Sequence, residues 1–355
     1  MDVRDFFFEL PADLVAQQPA DDRASARLLA FDRATGAITH TRVSALPDLL
    51  RPGDLLVVND TRVFPARLLG AREPSGGAVE CLLVSRTASA GPGDETWEAL
   101  MHPGQKIKPG SRVRFTDRHG ASVLQGEVLA RHFHGRRSIR LRADAGGSVE
   151  AAVDAIGHVP LPPYIKRGDA PGDRERYQTV YARTRGSVAA PTAGLHFTAE
   201  LLTALASRGI EIAHVTLHVG YGTFQPVRVE RVEEHRLEAE RYEVGAEAAA
   251  AVNRALDERR RVIAVGTTTT RTLEAVARDH GGRIAESRGA TDLFIAPGFA
   301  FQVVGGLVTN FHLPCSSLLM LVSAFGGAAR VLGGYREAVT KRYRFYSYGD
   351  AMFLL

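Results

Sequence analysis

Two short segments of the chain, 187–198 and 216–224, combine small residues, hydroxyl groups and histidines. Glycine lets a ligand approach the backbone, hydroxyl groups orient it, and imidazole can move protons near neutral pH. A packed core does not require this mixture, whereas a pocket does. We therefore predict that the two segments form a wall of an active site. The residues expected to face a ligand are Thr192, Gly194, His196, His218, Gly220 and Thr223.

A run of four threonines, Thr267 to Thr270, lies between an apolar run and a helical pattern. Backbone amides and hydroxyls at such a junction point beyond the carboxyl end of the strand, where open α/β sheets bind ligands. We predict that Thr267, Thr268 and Thr269 cradle an anion or a nucleoside. The spacing of a dinucleotide fingerprint and the Gly-Lys-Ser/Thr of a phosphate-binding P-loop are both missing. A threonine run that only caps the helix is the alternative.

Two later segments place polar side chains beside short apolar stretches, and Pro or Gly turns follow both. They are Thr291-Asp292-Leu293-Phe294-Ile295 and Thr309-Asn310-Phe311-His312-Leu313-Pro314. A carboxylate and an amide at such points can bind ribose hydroxyls or a purine edge, so we predict Asp292 and Asn310 as binding residues. A helix cap or a loop hydrogen bond is the alternative for each.

Basic residues are concentrated in two segments. The first carries five arginines and no acid on a strand or hairpin pattern: Arg131, Arg136, Arg137, Arg140 and Arg142. The second, 341–350, interleaves cations with rings and includes Arg342, Tyr343 and Arg344. Charge that follows a backbone and rings that stack on bases are typical of single-stranded nucleic-acid binding, so we predict both as RNA contacts. The alternatives are a solvated arginine face, and rings that pack a terminal strand onto the core.

The elements that must position these residues indicate two domains. Residues 63–152 contain short runs separated by Gly, Pro and Asp with almost no helical period, which predicts an inserted small β-barrel. Residues 1–62 and 153–355 alternate helical and strand patterns, which predicts one discontinuous α/β domain with a largely parallel sheet. Within it we expect a strand over 55–58, helices over 201–205, 246–260 and 272–278, and strands over 210–219 and 262–265.

Composition is that of an ordinary globular protein. The chain has 355 residues, 24% charged and 45% hydrophobic, and a net charge of +4. Neither an apolar run of about 20 residues nor a charged-then-apolar leader is present, so we expect a cytoplasmic protein without membrane association. The two cysteines, Cys81 and Cys315, have no Cys/His spacing around them, which supports neither a disulfide framework nor a thiolate metal site.

Further motifs run in order along the chain. They include Leu10-Pro11, Arg27-Leu28-Leu29, Val58-Asn59-Asp60-Thr61-Arg62-Val63, Leu161-Pro162-Pro163-Tyr164-Ile165 and Tyr177-Gln178-Thr179-Val180-Tyr181-Ala182. Together with the segments above, they resemble the S-adenosylmethionine:tRNA ribosyltransferase-isomerase family of the queuosine pathway. The resemblance covers essentially the whole chain.

The resemblance implies a reaction in which the ribosyl unit of S-adenosylmethionine, and not its methyl group, is transferred to 7-aminomethyl-7-deazaguanine at the wobble position of tRNA. Adenine and methionine leave, and epoxyqueuosine remains. S-adenosylmethionine is then a co-substrate, with no prosthetic group and no metal. The expected acid/base pool is His196, His218 and His312, with Asp60 and His235 as further catalytic candidates; Arg62 and Asp292 would position substrate. The arginine-rich segment and the C-terminal tail would contact the anticodon stem-loop, and we expect a monomer.

Two positions depart from the family pattern. Cys315 stands where the family commonly has a lysine after Asn-Phe-His-Leu-Pro, and Glu238 stands at the second histidine of a His-x-Met-His-x-Glu stretch. His235 and Glu240 keep the other positions of that stretch. A role for the lysine or the second histidine is therefore not carried over.

Two other function classes remain open from the residues alone. A methyltransferase would use the same co-substrate but release S-adenosylhomocysteine. A non-catalytic RNA-binding module would explain the basic and aromatic segments, but not the small and hydroxyl residues of 187–224.

Overall fold

The computed structural model describes residues 1–224 and 226–355, apart from the side chains of residues 134, 145, 223 and 224. The strands are β1 Arg27–Phe31, β2 Ile38–Arg42, β3 Leu55–Asn59, β4 Thr61–Val63, β5 Arg67–Glu73, β6 Ala78–Gly91, β7 Asp94–His102, β8 Arg112–Thr116, β9 Ser122–Arg131, β10 Arg136–Ala143, β11 Thr184–Ser187, β12 Glu211–Leu217, β13 Glu240–Val244, β14 Val262–Val265, β15 Ser287–Thr291, β16 Gly306–Asn310 and β17 Ala351–Leu354. The α-helices are α1 Leu46–Leu49, α2 Val149–Ile156, α3 Asp173–Arg176, α4 Ala199–Ser207, α5 Ala246–Asp257, α6 Thr267–Asp279, α7 Ser317–Gly326 and α8 Ala328–Thr340.

The larger unit is built on a nine-stranded mixed sheet. Its strand order is β15-β13-β12-β3-β14-β16-β17-β1-β2. The four central strands β12, β3, β14 and β16 run parallel to one another, whereas β13, β15 and β2 pair antiparallel with their neighbours. β17 is antiparallel to β16 and parallel to β1. The parallel sheet expected from the sequence thus forms the centre of a mixed sheet.

Helices cover both faces of this sheet, which explains why β3 is apolar along its length. Leu55 and Val57 belong to the core beneath α5 to α8, while Leu56 and Val58 belong to the core beneath α1 and α4. Every residue of β3 is buried. Since Asn59 ends this buried strand and Asp60 follows it, their polar side chains come to lie at the carboxyl edge of the parallel strands.

The smaller unit is a closed six-stranded antiparallel barrel. Its strand order is β10-β7-β6-β5-β8-β9, and its interior is filled by side chains such as Cys81, Phe115 and Ile139. The α/β class and the barrel are both as predicted. The division of the chain at 62/63 and 152/153 stays a prediction, although the barrel strands lie between Arg67 and Ala143. β4 directly follows β3 in the chain and pairs parallel with β11, outside the main sheet and the barrel.

Helix α6 begins five residues earlier than the sequence predicts, at Thr267. The threonine run is therefore the first turn of the helix and not a loop. The hydroxyls of Thr269, Thr270 and Thr272 donate to the carbonyl oxygens four residues before them, at 2.7, 3.1 and 3.0 Å. These bonds satisfy polar groups that would otherwise disfavour a buried helix.

Among the described residues, no single helix combines the length and the apolar composition needed to cross a membrane; α7 and α8 reach both only as a pair bent by 115°.

Candidate functional site

A cleft of about 940 Å³ opens at the carboxyl ends of the parallel strands. Its walls come from the 3-10 helix Thr192–His196, the first turn of α6, the end of β16 and the C-terminal tail. Of the residues predicted from the sequence, Thr192, Thr267, Thr268, Asn310 and His312 line it. We refer to this site as the cleft.

Asn310, at the end of β16, connects two of the predicted residues. Its Oδ1 accepts a hydrogen bond from Thr192 Oγ1 at 2.8 Å, and its Nδ2 lies 3.0 Å from His196 Nε2. Nδ2 also donates to the Tyr346 carbonyl oxygen at 3.2 Å. Because Nδ2 is a donor, His196 accepts at Nε2 and carries its proton on Nδ1. His196 therefore supports Asn310 from behind, and it is not among the described residues that line the cleft.

His312 is buried beside the cleft. Its Nε2 lies 2.8 Å from Thr309 Oγ1, and its backbone N–H donates to the Tyr335 hydroxyl at 3.1 Å. Burial lowers the pKa of His312 to about 3 and that of His196 to about 4, because the interior solvates an imidazolium poorly. Both rings are neutral at pH 7.

The first turn of α6 lines the cleft through Thr267 and Thr268, after Gly266 in a left-handed conformation at φ 91°. Asn59 Nδ2 donates to Thr268 Oγ1 at 3.3 Å and to the Leu217 carbonyl oxygen at 3.0 Å. Thr269 is fully buried and donates to Val265, so its hydroxyl does not reach a ligand. Its placement argues against the predicted binding role.

Two tyrosines that sequence reasoning missed also line the cleft. The rings of Tyr164 and Tyr346 stack with centroids 4.2 Å apart, and the Tyr164 hydroxyl lies 2.5 Å from Ser347 Oγ. Tyr346 has φ 72°, and its buried hydroxyl makes no hydrogen bond. The Leu-Pro-Pro-Tyr motif and the aromatic tail marked both positions, but nothing in the sequence indicated that the two rings meet.

A second, polar pocket of about 1060 Å³ lies between the barrel and the main sheet, and we call it the interdomain pocket. His218, Gly220, Glu238 and Glu240 line it from the main sheet. His218 Nδ1 lies 2.8 Å from Thr61 Oγ1, and burial lowers the pKa of this histidine, with a further contribution from Arg241. The predicted wall 187–224 is thus divided, since its first segment faces the cleft and its second faces mainly the interdomain pocket. Val219 lines both sites.

A buried ion pair forms part of the lining of the interdomain pocket. Arg271 Nη1 is 2.5 Å from Glu240 Oε2, and each side chain is 5% exposed. Glu240 Oε1 accepts from the Gly220 N–H at 2.8 Å, and Arg271 also donates to the carbonyl oxygens of Leu293 and Thr291. The pair ties α6 to β13 and fixes the strand end that carries His218.

Several predicted residues lie elsewhere in the described part of the chain. Asp60 is 1% exposed, accepts from Thr216 Oγ1 at 2.6 Å and pairs with Arg183 at 2.7 Å, so its carboxylate joins strands and does not line either site. Arg62 and Asp292 are exposed, outside the lining of both sites. His235 packs edge-on against Phe294 with centroids 5.1 Å apart.

Gly194 is required by packing and not by a ligand. A Cβ at this position would lie 2.2 Å from the Tyr181 hydroxyl and 2.7 Å from Thr179 Cγ2. Gly220 does line the interdomain pocket. The side chain of Thr223 lies outside the described residues.

The predicted RNA contacts are placed very differently from one another. Arg131 and Arg342 are exposed, and Arg342 pairs with Asp13. Arg137 is 1% exposed and donates to the carbonyl oxygens of Ile107, Arg136 and Gly104, which argues against a contact with tRNA.

Most of the remaining predicted RNA contacts already form ion pairs or hydrogen bonds within the chain. Arg140 and Arg142 both pair with Asp94, and Arg136 pairs with Glu98 and Glu238. Tyr343 is buried, and its hydroxyl forms a hydrogen bond with His40. This placement agrees with the alternative in which the rings pack the terminal strand onto the core. Arg344 is half-buried.

The described residues contain no cluster of three or more His, Cys, Asp or Glu side chains that could hold a metal ion.

Comparison with known proteins relates the whole chain to one family. A sequence model of the family described as queuosine biosynthesis protein matches residues 3–354. The chain is 50% identical over 355 residues to the S-adenosylmethionine:tRNA ribosyltransferase-isomerase of Heliobacterium modesticaldum and 51% identical over 354 residues to that of Geobacter metallireducens, with 100% of each chain covered. The crystal structure of S-adenosylmethionine tRNA ribosyltransferase from Thermotoga maritima is 35% identical, with a TM-score of 0.55, and the match covers 99% of this chain and 100% of that one.

Proposed function

The chain belongs to the queuosine biosynthesis protein family, and we propose that it is an S-adenosylmethionine:tRNA ribosyltransferase-isomerase. It transfers the ribosyl unit of S-adenosylmethionine to 7-aminomethyl-7-deazaguanine in tRNA, with isomerisation to epoxyqueuosine and release of adenine and methionine. The observation that carries the proposal is the full-length identity of about 50% to enzymes of that name. The cleft supplies groups that suit the co-substrate.

S-adenosylmethionine occupies the cleft in this proposal. The N-terminal turn of α6 favours an anion, because its free N–H groups and the helix dipole both point toward the cleft, and the methionine carboxylate is the anionic group of this ligand. Thr192 presents its hydroxyl oxygen to the ribose, and Asn310 fixes the orientation of that hydroxyl. Val227, Leu313 and Leu318 supply an apolar surface for the adenine ring.

His312 is the group we assign to proton transfer in the cleft. The sulfonium acidifies the neighbouring C5′ hydrogens, and a neutral imidazole can accept the proton that leaves this carbon. The low pKa weakens His312 as a base, and it makes the resulting imidazolium a strong acid that passes the proton to departing adenine. His196 is a positioning residue that acts through Asn310.

We place the anticodon stem-loop along the barrel, where Arg131 is exposed and Arg136 lines the interdomain pocket. We also retain the predictions of a monomer and a cytoplasmic location. Light scattering on the purified chain, with and without tRNA, tests the first of these; a stable dimer would contradict it.

The proposed activity is tested by a single-turnover incubation with S-adenosylmethionine and tRNA that carries 7-aminomethyl-7-deazaguanine. Small-molecule products and the nucleoside mass are measured together. We expect adenine and methionine in equal amounts, with the ribosyl-derived mass added to the nucleoside. Release of S-adenosylhomocysteine would mean methyl transfer, and tight tRNA binding without product would mean a binding module; either would refute the proposal.

A further inference from the structure

The interdomain pocket has carboxylates on both of its sides. Glu98 on β7 and Glu238 in the segment before β13 both contact Arg136, and Glu98 Oε1 lies 2.8 Å from Arg136 Nη1. The side chains of Glu98 and Glu238 are 27% and 39% exposed. Glu98 Oε2 also accepts from Ser85 Oγ at 3.4 Å. An ionised carboxylate offers about four lone-pair positions, so these partners leave both carboxylates able to accept further hydrogen bonds. Glu240 adds a third carboxylate deeper in the pocket.

The pocket also adjoins the cleft. Val219 lines both sites, and its neighbours His218 and Gly220 line the interdomain pocket. The two sites therefore share part of their lining at Val219. Transfer between two bound reactants requires such adjacency, because a reaction between them is accelerated only when they are held close and in orientation.

We infer that the interdomain pocket receives the wobble base of tRNA after the base has left its stack in the anticodon loop, and that Glu98 and Glu238 bind its aminomethyl group, which enters as an ammonium and gives one proton to a carboxylate before its nitrogen accepts the ribosyl unit. This inference rests on the proposed function, which supplies the identity of the base. Enzymes that modify a base take it out of the stack into a pocket that reads its edge by hydrogen bonds. About 400 Å³ of the pocket is open to a water-sized sphere, which lies within the range of small-molecule sites and leaves room for a nucleoside.

The chemistry of the base matches the lining. A 7-deazaguanine with an aminomethyl group has three hydrogen-bond donors: the ammonium, N1–H and the ring amino group. Its one strong acceptor is the ring carbonyl oxygen. Carboxylates suit the donors, and charge-assisted bonds to an ammonium are the strong ones. Arg136 and Arg241 in the same lining are donors for the ring oxygen or a neighbouring phosphate.

The test fills the pocket from the barrel side. Ser85, on β6, lines the pocket, whereas Ser89 is exposed farther along the same strand and does not line it. We expect Ser85→Trp to lower kcat/KM for the modified tRNA by at least 100-fold and to abolish binding of free 7-aminomethyl-7-deazaguanine in calorimetry. Its affinity for S-adenosylmethionine should stay within about twofold, which also shows that the variant is folded. Ser89→Trp should behave as the parent chain.

A second variant tests the carboxylates without filling the pocket. We expect Glu238→Gln to raise KM for tRNA with the aminomethyl base at least tenfold, while affinity for tRNA with unmodified guanine at that position is unchanged. Turnover and base binding by Ser85→Trp at the level of Ser89→Trp would overturn the inference. If the parent chain itself releases no adenine or methionine, the proposed function fails; if it does and Ser85→Trp does too, only the placement of the base fails.

Discussion

Thr192 and Asn310 are joined by a 2.8 Å hydrogen bond in which the threonine hydroxyl donates to the amide oxygen. Asn310 cannot turn its amide, because the Tyr346 carbonyl oxygen requires a donor on its other side. The proton of Thr192 is therefore committed to Asn310, and the lone pairs of its oxygen remain for a donor in the cleft. Ribose hydroxyls are such donors.

Replacing Thr192 tests this arrangement. Thr192→Val keeps the shape but leaves Asn310 Oδ1 buried without its donor, at a cost of about 1–3 kcal/mol. We expect kcat/KM to fall about 10- to 100-fold, while Thr192→Ser retains most of the activity. Thr203→Val, at an exposed position on α4, is the control. Equal activity of Thr192→Val and the parent chain would show that the hydroxyl is not used.

The buried histidines predict how stability depends on pH. The folded-state pKa is lowered to about 4 for His196 and about 3 for His312, against an ordinary value of 6.5. The unfolded chain therefore binds more protons below pH 6.5, and the free energy of unfolding falls as the pH drops from 6.5 toward 4. The slope is about 1.4 kcal/mol per pH unit for each histidine.

Urea unfolding between pH 7.5 and 4.5 measures this slope. His312→Gln should give a shallower dependence than the parent chain, whatever its effect on stability at pH 7.5. His102→Gln, at an exposed position, should leave the slope unchanged. If the slope of His312→Gln equals that of the parent, His312 is not held neutral by burial.

The cleft shows which parts of a site can be predicted from sequence. Thr192, Asn310 and His312 stand in motifs that end strands or turns, and their positions at one sheet edge follow from the order of βα units. The division of 187–224 between two sites could not be predicted, because it depends on β4 and β11 bringing the barrel against His218. Arg137 shows the same limit, since its burial depends on carbonyl groups 30 and 33 residues away.

In the arginine-rich hairpin, we expect one arginine to contribute to tRNA binding and its neighbour to contribute to folding stability. Arg131 is exposed, whereas Arg137, its ladder partner on β10, is buried among carbonyl groups. Arg131→Gln should weaken tRNA binding and lower the slope of log affinity against log salt by about one. Arg137→Gln should lower the melting temperature and leave the salt slope unchanged. An unchanged slope for Arg131→Gln would remove this residue from the tRNA contact.

Gly186 predicts how tightly His218 is held. Gly186 has φ 153°, and a Cβ there would lie 2.7–2.9 Å from three atoms of the His218 imidazole. Gly186→Ala should displace the ring from Thr61 and lower kcat more than the affinity for S-adenosylmethionine, which binds in the cleft. Gly91, with φ 147° and open space at its Cβ, gives Gly91→Ala as a control for backbone strain alone. Equal kcat values for the two variants would show that His218 is not displaced or not used.

Removing one charge of the Arg271–Glu240 ion pair should destabilise the fold more than removing both. Arg271→Met leaves a carboxylate that is 5% exposed without its cation, and breaking a buried pair in this way costs about 3–5 kcal/mol. The double variant Arg271→Met/Glu240→Met should recover part of this loss, because no charge remains buried. Urea unfolding at pH 7.5 measures the free energy of unfolding of the single and the double variant.

The exposed pair of Arg283 and Asp257 provides the matched control for this cost. Its side chains are 49% and 60% exposed, and water screens their attraction, so Arg283→Met should destabilise the chain far less than Arg271→Met. Because the buried pair joins α6, which borders the cleft, to the strand end that carries His218, Arg271→Met should also reduce turnover in the fully folded protein. Equal destabilisation by Arg271→Met and Arg283→Met would mean that the pair does not hold the two sites together.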